Sequence, residues 1–257
     1  MKIAVLGCGP AGLLAAHAVN QATGGKPPEI FSRKVRSPMR GAQYLHEPIP
    51  GLTDTASPDD ELRYIKVGTQ SGYAVKVYND AFAPVSWSRF EDGHVPAWDI
   101  RRAYDDLWDL WEQDIEDIGS ASVWLAEFGH TYDLVLSSVP AKALCSNPTC
   151  RFESQEVYIN EQAQPVVHPN TIVYNGNPST PWYRTSSVFG WGNTEWPANA
   201  MGVAVDHGAV LVHKPLWTSC DCNPNVVRLG RYGAWDKPLL THHAYHTAKE
   251  VMEHAML

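Results

Sequence analysis

The apolar residues of this chain fall into short groups with distinct periods. Ile3 to Leu6 is an unbroken apolar run, the form a strand takes when both of its faces are covered, and Leu13 to Ala22 continues with helix-forming apolar residues. "PEIFSRK" supplies a second strand that ends at Ser32. Residues 37 to 60, rich in Pro, Gly and polar side chains, predict an ordered loop passing over a site, with Gly41 to His46 its most informative part. "LRYIKVGTQSGYAVKVYND" alternates apolar and polar residues around Gly68 to Gly72 and predicts a hairpin. From Trp98 to Ile115 the apolar positions Trp98, Ile100, Ala103, Tyr104, Leu107, Trp108, Trp111 and Ile115 make a helical stripe with acids on the other face, read as core. Leu134 to Leu136, ending in Ser137 and Ser138, repeats the logic of the first strand and suits a central parallel strand. Residues 152 to 218 hold the runs "SQEVYIN", "TIVYNG", "WYRTSSVFGWG" and "GAVLVHK", which predict an antiparallel sheet. Val226 to Leu229 forms a late strand running into Gly-Arg-Tyr-Gly, and a final helix starts near Thr241.

Composition limits what these elements can do. In 257 residues, 44% are hydrophobic and 19% charged, and no apolar run approaches the length of about 18 residues that a membrane helix needs. No cleavable signal is read at the start, so a cytoplasmic address is expected. The five cysteines are expected as free thiols. A net charge of −8 argues against general nucleic-acid binding, which draws its affinity from clustered Lys and Arg. The one dense basic run, Arg33, Lys34, Arg36 and Arg40, is placed beside a diphosphate.

That diphosphate is implied by Gly7-Cys8-Gly9-Pro10-Ala11-Gly12, a GxGxxG turn between the first strand and the first helix. The first glycine permits the tight turn, the second lets backbone amides approach a diphosphate, and the third lets the helix pack closely on its strand. The helix N-terminus adds a partial positive charge. Dinucleotide folds commonly end the second strand in Asp or Glu, where this chain has Ser32 followed by Arg33. A serine hydroxyl can bond a ribose oxygen, and an arginine there can instead signal a ribose phosphate. Cys8 fits the turn because a small side chain is needed.

The N-terminal GxGxxG together with the C-terminal "GRYGAW" and its following helix resembles the bipartite flavin-binding pattern of FAD proteins, in particular the UDP-galactopyranose mutases and FAD-dependent amine oxidases. The resemblance implies an α/β, Rossmann-like FAD-binding fold with a small inserted antiparallel β substrate region. Residues 1–60, 125–150 and 219–257 would bind FAD, and 61–124 and 151–218 would form the cap. It implies cofactor contacts from Gly7, Gly9, Pro10, Ala11, Gly12, Ser32, Arg33, Gly230, Arg231, Tyr232, Trp235, Leu240, Thr241 and His242, with Arg231 on the diphosphate. The final helix would aim its N-terminus at the pyrimidine end of the flavin, where negative charge collects on reduction. The loop "GAQYLHEPIPG" resembles one in compact phage-encoded FAD proteins, and it adds Gln43, Tyr44 and Leu45 to the expected contacts.

The resemblance implies an FAD-dependent oxidoreductase of amine-oxidase type that abstracts hydride from a C–N or C–O bond. Hydrolysis of the resulting imine would give a net lyase outcome. One variant acts on an amino-acid-modified nucleobase in phage DNA, in the host cytoplasm. The alternatives are a redox-neutral, mutase-like enzyme using reduced flavin and a noncatalytic FAD-binding interaction module. Candidates for catalysis are His242 first, then Tyr183, Tyr245 and Trp191, since His or Tyr can move a proton and aromatics can flank a bound amine. Glu195 closes "FGWGNTE" where a second glycine motif would need glycine, so no separate pyridine-nucleotide domain is expected and electrons would pass to oxygen or an external acceptor. The expected partner is a small molecule or an exposed nucleobase, with no membrane, and the oligomeric state stays open. No metal is expected. His242 and His246 lack HExxH, and neither Cys145-x4-Cys150 nor Cys220-x-Cys222 has the two-residue knuckle spacing, so the cysteines are read first as scattered thiols, with convergence of all four on a structural zinc as the alternative.

Overall fold

The structure is a computed structural model that describes residues 1–85, 93–165 and 167–256. Residues 86–92 and 166 of the expected cap, and Leu257 of the expected FAD-binding region, lie outside the described residues. The elements in chain order are Ile3–Leu6 (β1), Pro10–Ala22 (α1), Glu29–Ser32 (β2), Asp60–Gly68 (β3), Gln70–Tyr78 (α2), His94–Ala97 (β4), Ile100–Trp111 (α3), Ile115–Asp117 (β5), Ala121–Phe128 (α4) and Leu134–Ser137 (β6). Then follow Ala141–Leu144 (α5), Phe152–Asn160 (β7), Thr171–Gly176 (β8), Arg184–Val188 (β9), Trp191–Pro197 (β10), Met201–Asp206 (α6), Val210–Thr218 (β11), Val226–Arg228 (β12), Gly230–Ala234 (α7) and His243–Ala255 (α8).

The chain divides into two compact units. The first comprises Met1–Pro38, Ile100–Ser154 and Pro215–Leu257, and the second Met39–Asp99 and Gln155–Lys214, so the division falls inside β7 and β11. These boundaries differ from the sequence reading at four segments, of which 151–154 and 215–218, expected in the cap, are short and fall in the first unit. Residues 100–124 belong to the first unit because α3 packs on α1 and β5 extends the sheet of β1. Residues 39–60 belong to the second, where Leu45 bridges to Trp98 through both of its backbone groups.

The first unit is built on a five-stranded sheet of order β12-β6-β1-β2-β5, with every pairing parallel. All four residues of β1 are buried, as a parallel strand covered on both faces requires. In α1 every residue from Gly12 to Val19 is buried, so the helix is covered well beyond one stripe. The partner stripe on α8 is Ala244, Tyr245, Ala248 and Met252, spaced for one helical face, and its two alanines admit close approach. The expected helix from Trp98 to Ile115 is shorter than its apolar pattern: α3 ends at Trp111, and Ile115 is buried instead as an edge-strand residue opposite Ile30.

The second unit holds most of a seven-stranded sheet of order β11-β7-β10-β9-β8-β3-β4. It is mixed rather than purely antiparallel, because β3 runs parallel to β8. That parallel pair corrects the hairpin expected at Gly68 to Gly72. Gly68, at φ +80°, turns the chain out of β3, and the Thr69 side chain accepts a hydrogen bond from the Gly72 amide at 3.0 Å, an N-cap that starts α2. The alternation read as a strand places Tyr73 and Ala74 inward, and the Lys76 ammonium donates to the carbonyls of Asn175 and Trp182, fixing α2 on the end of β8.

A Cβ at Gly72 would lie 2.0 Å from the Gly176 carbonyl oxygen. Gly72→Ala should therefore push α2 off β8 and cost about 1–3 kcal/mol in urea denaturation. Thr69→Ser, which keeps the capping oxygen, should be close to neutral; equal losses for the two variants would refute this packing.

Candidate functional site

In the first unit the three glycines of the N-terminal turn have three distinct surroundings. Gly7 sits at φ +96°, and a Cβ there would meet the Ser138 hydroxyl at 2.5 Å. A Cβ at Gly12 would lie 1.8 Å from the Gly7 carbonyl oxygen, so only glycine lets α1 start this close to β1. Gly9 is open: the nearest atom to a Cβ there is the Ser37 Cβ at 3.8 Å. Gly9 is also the N-cap of α1, with no side chain capping it and Pro10 in the first turn. The first-turn amides have no acceptor within the helix. An anionic diphosphate fits that donor set.

The two ends of the sequence converge here. Gly230, at φ +63°, would place a Cβ 3.0 Å from the Ala11 Cβ, and Gly233 would place one 2.6 Å from the Ser137 carbonyl oxygen. The residues expected as a turn, Gly230 to Gly233, form the short helix α7. The Leu229 amide donates to the Ser137 carbonyl at 2.8 Å, which ties the end of β12 to the end of β6. Ser137 itself is fully buried, and its hydroxyl has no hydrogen-bond partner among the described residues. Tyr104, read from sequence only as core, also holds the turn: its hydroxyl donates to the Cys8 carbonyl at 2.9 Å and accepts from the Ser37 amide at 3.0 Å.

The other expected residues of this unit separate into those near the turn and those committed elsewhere. Ser32 is near, accepting from the Cys8 amide at 3.2 Å and keeping its hydroxyl hydrogen for another acceptor, and Arg33 is exposed beside it. The expected basic cluster does not form: Arg36 pairs with Asp105 and Asp109 at 2.7 and 3.0 Å, while Arg40 lies in the second unit beside Glu161. Arg231, expected on a diphosphate, turns two of its donors to the Pro215 carbonyl at 3.1 and 2.9 Å. Trp235 is buried, donates from its indole to the Glu153 carbonyl at 2.8 Å and packs edge-on against Phe152, so it anchors the end of α7 in the core. Tyr232 and Leu240 are exposed, and Thr241 is half-buried.

His242 is the N-cap of α8, buried beside the rings of His243 and His246. His243 accepts the Leu240 amide at its Nδ1, at 3.1 Å, which caps the helix from within. Tyr245, expected as a catalytic candidate, is buried on the face of α8 that packs against α1. Its hydroxyl donates to Gln21 at 2.7 Å, near the far end of α1, about 16 Å along the helix from the glycine turn.

In the second unit the structure assembles a charged cluster that the sequence did not show. Glu195, in β10, is completely buried, accepts from the Lys214 ammonium at 2.7 Å and from the Tyr183 hydroxyl at 2.5 Å, and pairs with Arg184. Burial alone would raise its carboxyl, but the charges and hydrogen bonds of Arg184 and Lys214 outweigh that and hold it at about 2. Gly41, at φ +90°, passes so close that a Cβ would meet a Glu195 carboxylate oxygen at 3.1 Å. Tyr64, Tyr73, Tyr174 and Tyr183 are all shifted upward by burial, and Tyr44, hydrogen-bonded to Tyr64, rises to about 12.

This cluster changes the roles of the expected residues. Burial keeps the Tyr183 hydroxyl protonated, and it donates a hydrogen bond to Glu195 that helps to orient the carboxylate. Trp191, expected to flank a bound amine, is 52% exposed at the start of β10, four residues and roughly 13 Å along the strand from Glu195. Gln43 is turned back on the Arg40 carbonyl at 2.7 Å, and Leu45 is fully buried with its backbone spent on Trp98. A sequence signal for the cluster existed. Phe189 and Gly190, both at positive φ, make a two-residue hairpin turn that sets Arg184 opposite Glu195.

Comparison with solved structures places this architecture among known folds. The crystal structure of reduced UDP-galactopyranose mutase superposes with a TM-score of 0.59 at 12% identity, covering 99% of this chain and 95% of that one. BrvH, a flavin-dependent halogenase from Brevundimonas sp. BAL3, gives 0.57 at 12% identity, covering 100% of this chain and 72% of that one. MibH, a lathipeptide tryptophan 5-halogenase, gives 0.53 at 13% identity, covering 98% of this chain and 65% of that one. The likeness shows a shared fold. The α/β, Rossmann-like class expected from the sequence is therefore the class observed. No family model and no curated sequence matches the chain. Among the described residues no helix is long and apolar enough to cross a membrane.

Because the Glu195 carboxyl is depressed from the ordinary 4.5 to about 2, its stabilising contribution is complete above 4.5 and is lost only as pH falls through about 2. Glu195→Gln should remove the buried counter-charge of the part-buried Arg184 and Lys214 and cost about 3–5 kcal/mol at neutral pH. The difference from the unsubstituted protein in urea midpoint should shrink as the medium is acidified below 4.5. An unchanged midpoint at neutral pH would show that the cluster is not coupled.

Proposed function

We propose that the chain binds FAD in its first unit and is a flavin-dependent oxidoreductase of amine-oxidase type. One observation carries this reading: four glycines, Gly7, Gly12, Gly230 and Gly233, are closed in by neighbouring atoms, while Gly9 alone at the helix N-terminus is open. An added Cβ at each of the four would lie within about 3.0 Å of a neighbouring atom, whereas at Gly9 the nearest is 3.8 Å away. In this reading the α1 amides hold the diphosphate, the Ser32 hydroxyl meets the adenosine ribose, and the N-terminus of α8 at Thr241 and His242 faces the negative charge of the reduced ring.

Bound FAD supplies the two-electron acceptor for a hydride leaving a C–N or C–O bond. The chain's own contribution is to bind and orient, and His242, at the start of α8, is the residue proposed to move a proton there. The substrate class proposed is an amine, and an imine product would hydrolyse with cleavage of its C–N bond. The loop from Gly41 to Gly51, through its resemblance to one in compact phage-encoded FAD proteins, extends the proposed amines to an amino-acid-modified nucleobase in phage DNA, and the net charge of −8 counts against that variant. A redox-neutral, mutase-like reaction on reduced flavin is the second reading, favoured by the mutase likeness that spans 95% of that enzyme's chain.

The visible absorption spectrum of the purified protein, with chromatography of the cofactor released on denaturation, tests the binding claim. Anaerobic bleaching on addition of an amine supports the oxidase reading, and activity only after chemical reduction supports the mutase-like one. A colourless protein that takes up NAD or NADP instead would overturn both. Gly9→Ala should retain FAD, since its Cβ meets nothing closer than 3.8 Å, whereas Gly9→Glu should fold normally and bind FAD at least about a hundredfold more weakly, about 3 kcal/mol.

A further inference from the structure

We propose that Cys145, Cys150, Cys220 and Cys222 form a tetrathiolate zinc site in the first unit, a structural metal centre independent of the nucleotide turn. The four cysteines are separated into two pairs by about seventy residues of chain, yet their sulfurs all lie within 4.8 Å of one another. Cys222 is 3.8 Å from Cys145 and 3.7 Å from Cys150, sulfur to sulfur. Zinc–sulfur bonds of about 2.3 Å in a tetrahedron give sulfur–sulfur edges of about 3.8 Å, so these thiols already stand at ligand spacing. A disulfide would need about 2.0 Å, and all four cysteines are free.

The surrounding backbone is arranged to hold the set. Cys145 follows α5 directly, and the Asn147 turn returns the chain so that the Cys150 amide donates to the Asn147 carbonyl at 3.2 Å. The opposing loop is fastened to this one on both sides of Arg151: the Ser219 amide and the Thr218 hydroxyl donate to the Arg151 carbonyl, and the Arg151 amide donates to the Ser219 hydroxyl. The Asn223 side chain reaches across to the Leu144 carbonyl at 3.3 Å. Arg228, the last residue of β12, donates to the carbonyls of Cys220 and Cys222 and points an N–H at the Cys220 sulfur at 3.4 Å. Four thiolates around zinc carry a net double negative charge, and a guanidinium beside them is the outer partner such a site needs.

The position gives the metal a task. Cys220 and Cys222 immediately precede β12, and Cys145 follows the segment that leaves β6. Zinc would clamp the entry to β12, and through it the register that brings Gly230 against Ala11. The spacings of four residues and one residue work here because the ligands sit on two irregular loops and not on a hairpin knuckle.

Elemental analysis of the protein purified without chelator under reducing conditions should find about one zinc per chain. Cys145→Ser and Cys222→Ser should each lose it, Cys8→Ser should keep it, and Arg228→Met should weaken retention about 10–100-fold against a competing chelator. If the cysteine variants fail to fold, cobalt titration of the metal-stripped unsubstituted chain gives the same answer, since a tetrathiolate site shows thiolate charge-transfer and tetrahedral d–d bands. Five titratable thiols with no zinc and no cobalt spectrum would overturn the proposal, as would stoichiometric iron, a disulfide within the set, or zinc retained in folded Cys222→Ser. Zinc is read separately from flavin, so a colourless protein with one zinc leaves this site standing while removing the FAD reading.

Discussion

At the carboxyl end of β6 backbone meets backbone too closely for side chains. The start of α1 lies on the Gly7 carbonyl, the turn before it lies on Ser138, and α7 lies on the Ser137 carbonyl. The glycines at positions 7, 12 and 233 are the residues that permit these contacts, because a Cβ would come within 2.6 Å of an oxygen at each. The rest of the first unit follows from that meeting. The parallel strands β12, β6 and β1 bring their ends to one place, and α1 leaves it with an uncapped N-terminus. The packing of α8 along α1 then fixes where the last helix begins.

The second unit is organised by a different constraint, the enclosure of a carboxylate. Glu195 could not be buried alone, since an isolated charge in the interior is far costlier than any packing gain. Arg184 and Lys214 supply its counter-charges, and the Tyr183 hydroxyl occupies a further lone pair.

The two units also differ in how polar groups are spent. In the first, the polar groups at the glycine turn are backbone amides and short hydroxyls, with Ser137 buried and its hydroxyl unsatisfied by the chain. In the second, long charged side chains satisfy one another within the chain. The cysteine set is a third solution, in which four soft ligands are held at metal spacing by hydrogen bonds between two loops. Each arrangement assigns the local chemistry to a different class of donor.

The sequence by itself determined the elements whose signal is local. A continuous apolar run followed by spaced glycines specifies strand, turn and helix within about twenty residues, and Leu134 to Leu136 adds a second apolar strand ending in small polar residues, so the Rossmann-like class was legible before any contact was known. What depended on pairing partners was not. The alternation after Gly68 is compatible with strand or helix, and only the Thr69 cap and the parallel partner β8 decided for α2. Arg231, Trp235 and Tyr245 have the chemistry of a cofactor site, but their donors are taken by Pro215, Glu153 and Gln21, acceptors distant in sequence. Arg184 faces Glu195 across the two-residue turn at Phe189 and Gly190, but the approach of Lys214 and the convergence of the two cysteine pairs depend on distant stretches of chain. Burial, counter-charge and ligand convergence are properties of three-dimensional neighbours, and a one-dimensional spacing carries them only where the two partners sit on a single helix or across a short turn.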